Sequence, residues 1–96
     1  MIAVKTPKFQ MGKVVATPGA LAALEEAGQS SWEFLSEHIA GRWGNLDEDD
    51  KQANEDALIH GDRIFSSYLL NDGVTSVWCI TEADRSSTCL LLPENY

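Results

Sequence analysis

Residues 63–93, "RIFSSYLLNDGVTSVWCITEADRSSTCLLLP", decide how this chain folds. "RIFSSYLL" is rich in aromatic and β-branched residues, and "NDG" after it is a tight-turn signal. "TSVWCIT" then reads as a second strand, and "TCLLLP" as a third, stopped by Pro93. Between the last two lies a polar knot, Glu82, Ala83, Asp84, Arg85, Ser86 and Ser87. It is either the turn of a hairpin or a small active site lifted out of the sheet.

Upstream of this meander the period is helical. In "TPGALAALEEAGQ" Thr17 is a natural N-cap, Pro18 suits the first helical position and Gly28 closes the helix. Leu21, Leu24 and Ala27 would form its apolar face. Ser30 and Glu33 have capping-box spacing for a second helix, with Trp32, Leu35 and Ile39 at three- to four-residue intervals and Gly41 at its end. Trp43 should fold back over the helix ends. A third helix starts at Asp47 or Asp49 and stops at Gly61, with Ala53, Ala57, Leu58 and Ile59 facing inward. "MGKVVAT", residues 11–17, reads as a short edge strand.

These elements predict an α+β fold in the order β-α-α-α-β-β-β: an antiparallel meander of three or four strands with helices packed on one face. Residues 1–12 would be an N-terminal arm and residues 13–96 a single domain. Ninety-six residues are enough for one core without metals or disulfides.

The chain is 44% apolar and carries a net charge of −8. Lys5, Lys8 and Lys13 fall in the first sixteen residues, so residues 17–96 hold all fifteen acids against four bases. Such a surface repels phosphate backbones and predicts a protein partner with a basic surface rather than direct nucleic-acid binding. No apolar run is long enough to span a bilayer and no secretory signal opens the chain, so no membrane association and a cytoplasmic location are expected. Cys79 and Cys89 read as buried thiols, and neither His38 nor His60 completes a zinc pattern with them. No phosphate-binding glycine motif occurs, and no cofactor is expected.

Two sets of side chains remain as candidates. Glu82 as base, Arg85 as phosphate-steadying cation and His60 as acid would suit a small nuclease, if the end of the third helix reached the last turn. The simpler reading makes the knot a turn, with Asp84 and the serines bonding main-chain amides and Arg85 pairing with Glu82 or Asp84. Asp47, Glu48, Asp49 and Asp50 lack the alternation of a calcium loop and instead suit the positive end of a helix dipole. With Glu82, Asp84 and Arg85 they form a candidate partner-binding surface.

The meander strands are apolar on both parities, yet three helices can cover only one face. The uncovered face predicts a homodimer centred on Tyr68 or Trp78, unless residues 1–10 fold over it.

Residues 13–96, and "ATPGAL", "WGNLDEDDKQAN", "ITEADRSS" and "LLPENY" most specifically, resemble small proteins carried on bacterial plasmids and other mobile elements. The resemblance implies a bacterial mobile-element setting and transfers no activity. The expected function is that of a non-enzymatic accessory protein acting by protein binding, in its sharpest form an acidic anti-defence inhibitor of a nucleic-acid-binding protein; the alternative is a nuclease-type toxin.

Overall fold

The computed structural model describes residues 7–96, so residues 1–6 of the expected arm lie outside the described residues. The elements are β1 (Lys13–Ala16), α1 (Pro18–Ala27), α2 (Ser31–Ile39), α3 (Glu48–His60), β2 (Ile64–Leu69), β3 (Ser76–Thr81) and β4 (Ser87–Leu91), followed by one 3-10 turn, Pro93–Asn95. The fold is α+β with the element order read from the sequence. Local chemistry sets the boundaries. Thr17, Ser30 and Asp47 each accept a main-chain N–H with the side chain, and Gly28 and Gly61 close α1 and α3 in the left-handed region.

The sheet order is β1-β4-β3-β2. β2, β3 and β4 form the antiparallel meander, but β1 joins β4 in parallel, so the sheet is mixed. On the inner face, Ile64, Ser66, Val77, Cys79, Thr81, Thr88 and Leu90 are fully buried. They lie beneath Ala20 and Leu24 of α1 and Phe34, Leu35 and His38 of α2.

Leu24, Leu35 and Ala57 face inward as expected, but other members of the expected apolar stripes do not. Leu21 is 52% exposed, Trp32 and Ile59 are also exposed, and Ala53 faces out. Asn54 and His38 take buried positions instead, because each meets hydrogen-bonding groups that an apolar side chain could not satisfy. Tyr68 likewise belongs to the inner core and not to an outer interface. Its ring packs on Phe34, and its hydroxyl donates to Arg42 O at 2.6 Å.

On the outer face, Ile80 and Leu91 are buried without a helix above them. The 3-10 turn folds back toward β3, and the Tyr96 ring lies 5.8 Å from Trp78, which in turn meets Phe65 edge-on at 4.9 Å. The arm goes elsewhere over its described part. Lys8 N donates to Ile39 O, and Phe9 sits against His38 and Trp43 on the helix side.

The free edge of β2 is sealed. The Asn54 side chain donates to Phe65 O at 2.5 Å and accepts from Phe65 N at 3.1 Å, as a neighbouring strand would. Two residues on, Ser67 donates to Trp43 O and accepts from Asn45 N. Between them Gly44 sits at φ 76°, where an added Cβ would fall 2.0 Å from Ser67 O. Asn54→Ala should therefore cost about 2 kcal/mol in urea unfolding, because it strands two main-chain groups at a partly buried edge. A loss within about 0.5 kcal/mol would mean that water replaces the amide freely.

Candidate functional site

The knot is a hairpin turn. Glu82 N donates to Ser87 O and Arg85 N to Glu82 O, which closes a four-residue loop, residues 83–86. Asp84 accepts from Ser86 N at 3.0 Å, and the bonds from Ser86 hold its carboxyl below the usual carboxylate range.

Arg85 sits at φ 61°, the one left-handed non-glycine among the described residues. Its guanidinium does not pair with Glu82 or Asp84, as a local reading suggests. It donates to Asp62 O at 2.6 Å, Ala57 O at 3.1 Å, Glu82 O at 3.1 Å and Ala83 O at 3.2 Å, and lies over the Phe9 ring. A planar fork with five donors suits a cluster of carbonyls, which a point-charge ammonium would not satisfy. The end of α3 thus does reach the turn. The cation that would steady a phosphate is committed to main-chain oxygens.

Glu82 pairs instead with Arg63, at 3.3 Å, and Arg63 also donates to the Tyr96 hydroxyl at 3.1 Å. Glu82 raises the Arg63 pKa above its ordinary value. Arg63, Phe65, Trp78, Ile80 and Tyr96 line an outer-face cleft of about 200 Å³. Of the two residues expected at an interface, Trp78 is the one on this face. His60 is exposed at the end of α3.

The acids Asp47, Glu48, Asp49 and Asp50 are exposed at the start of α3, where Asp47 caps the helix by accepting from Asp50 N at 2.8 Å. Glu55 and Asp56 continue the acidic surface along the helix, with Lys51 the one cation on it. Among the described residues no group of His, Cys, Asp or Glu is arranged to hold a metal, and no helix is long and apolar enough to cross a membrane.

A polar chain runs through the core that sequence reading missed. Ser66 Oγ lies 2.5 Å from His38 Nδ1, His38 Nε2 lies 2.8 Å from Thr81 Oγ1, and Thr81 Oγ1 lies 2.7 Å from Thr88 Oγ1. Thr88 then donates to Met11 O at 2.8 Å. A carbonyl only accepts, so every proton in the chain has one direction. Thr88 has given its hydrogen to Met11, so Thr81 donates to Thr88. Thr81 must accept from His38 Nε2–H, and Nδ1 must accept from Ser66. His38 is therefore the neutral Nε2–H tautomer, and burial pushes its pKa down to about 4.

A serine against a histidine nitrogen is the contact of an activated nucleophile. Here His38, Ser66, Thr81 and Thr88 have no exposed surface, so no substrate reaches them and the chain ties β2, β3, β4, α2 and the arm together. Its sequence signal was faint: small hydroxyl residues at inward positions of three strands, and a histidine in line with Phe34 and Leu35.

Cys79 is buried beside Ser66, and burial pushes its thiol up to about 12. Cys89 is only half-buried, contrary to the expectation for both; it lies on the outer face beside the exposed Val15 of β1. No protein-family model, curated protein or solved structure matches the chain.

Proposed function

We propose that this protein is a non-enzymatic accessory factor of a bacterial mobile element that acts in the cytoplasm by binding a basic protein. The acidic flank of α3 and the β3–β4 turn would occupy a groove that otherwise holds nucleic acid, as an anti-defence inhibitor does. The observation that carries this reading is the bridge from Arg85 to Ala57 O and Asp62 O. It fastens the turn that carries the exposed Asp84 to the C-terminal end of α3, the helix whose exposed side carries Asp49 and Asp56. The thirteen-residue helix alone is about 20 Å long, comparable to several phosphate spacings along a duplex. The nuclease alternative is weakened by the same bridge, which spends the guanidinium on carbonyls.

The test has two arms. Labelled DNA and RNA should migrate unchanged with the purified protein at physiological salt; a sub-micromolar shift that weakens as salt rises would overturn the proposal. From a nuclease-treated bacterial lysate, the wild type should retain basic nucleic-acid-binding proteins that added duplex DNA displaces. The triple variant Asp49→Lys, Asp56→Lys, Asp84→Lys should lose them. Equal retention by both baits would remove the acidic flank from consideration.

A further inference from the structure

The two edges of the sheet are treated differently. The edge at β2 is closed by Asn54, Trp43 and Asn45. At β1, Lys13 N donates to Ser86 O at 3.0 Å and Thr17 N to Leu90 O at 2.9 Å. In a parallel register that places residues 13, 15 and 17 against β4, so the N–H and C=O groups of Val14 and Ala16 turn away from the sheet. Among the described residues nothing pairs with them, and Val14 and Val15 are 43% and 41% exposed. A row of outward main-chain donors and acceptors beside β-branched side chains fits one kind of ligand, an extended strand.

We propose that this strand is β1 of a second copy, which joins two sheets into one of eight strands across a two-fold axis at Val15. With the axis there, Val14 faces Ala16 of the second copy and Ala16 faces its Val14. All four outward N–H groups then find a carbonyl, and the contact satisfies both chains alike. Charge selects the same edge. No acid precedes Glu25 in the sequence, and Lys13 lies on the strand itself. The acid-rich α3 packs at the opposite edge of the sheet, beside β2. Two copies of net charge −8 therefore meet at the edge that bears Lys13, with the acid-rich α3 of each at the far edge of its sheet.

The experiment is a dilution series of the full chain followed by sedimentation and by amide NMR. At concentrations near about 1 mM, as suits so short an interface, the mass should approach twice 10.5 kDa. The shifts that change with dilution should centre on Val14 and Ala16. Val14→Pro removes an outward donor that β4 does not use, and Val15→Lys sets two ammonium groups at the axis; each should weaken association more than about tenfold while unfolding stays cooperative. Tyr96→Lys, on the outer face, should leave association intact. A chain that stays monomeric throughout overturns the proposal. So does a dimer that ignores both β1 substitutions, or one that is lost on Tyr96→Lys.

Discussion

Acidification from pH 7 to pH 4 should remove about 3 kcal/mol of stability through one side chain, His38. The sign follows from where the proton binds first. In the unfolded chain His38 titrates near its ordinary value of 6.5, whereas in the fold burial holds it to about 4. Between those values the unfolded state carries more protons, so stability falls as pH falls through the window and levels off on either side. The hydrogen-bond chain gives the structural reason. A second proton on the ring would sit on Nδ1, facing a Ser66 hydroxyl already aimed at it. Carboxylate protonation relieves the repulsion of an acidic chain over part of the same range and works the other way. The decisive measurement is therefore a difference: urea unfolding of wild type and His38→Gln at several pH values. The variant, whose amide cannot ionise, should lose the wild-type slope between pH 6.5 and 4 whatever its stability at pH 7. Parallel curves would place the acid sensitivity elsewhere.

Arg85 should be the other large effect. Replacing it by Ala removes four hydrogen bonds from a charged donor and should cost about 3 kcal/mol. Arg85→Gly removes the same bonds but relieves a left-handed backbone that any Cβ makes unfavourable, so it should cost about 1 kcal/mol less than Arg85→Ala. Arg85→Lys keeps the charge without the fork and should recover little of the loss. Thermal or urea unfolding of the three variants ranks them. If Gly proves as costly as Ala, the loop is not strained at this residue; if Lys restores the wild type, charge rather than geometry holds the turn to α3.

The parts of the fold legible in the sequence are those decided within a few residues. Thr17, Ser30 and Asp47 cap helices, Gly28 and Gly61 end them, and the run from Ile64 to Leu91 alternates and turns as a meander. What escaped reading depends on partners far along the chain. A four-residue strand carries no signal of which neighbour it will join, so the parallel seat of β1 beside β4 was invisible. Sequence proximity matches Arg85 with Glu82 and Asp84, but its partners Ala57 and Asp62 lie 28 and 23 residues away. The buried seats of Asn54 and His38 carry no local signal, because a polar residue looks outward until its distant partner is known. The candidate acidic surface was readable as composition. That its two halves are joined was not.

The one-way hydrogen-bond chain also bears on how this sequence can drift. Ser66 gives, Thr81 and Thr88 each give and receive, and the direction is set by a carbonyl that no side-chain mutation can reverse. Thr81→Val would orphan the hydrogen of His38 and deprive Thr88 of its donor in one step, whereas Thr88→Ser keeps the direction and passes it on. Ser66, His38, Thr81 and Thr88 therefore behave as a single inherited character. Lineages that keep the histidine should keep all four hydroxyl or ring positions in kind, and a lineage that abandons it should have replaced the set together with apolar residues of matching volume.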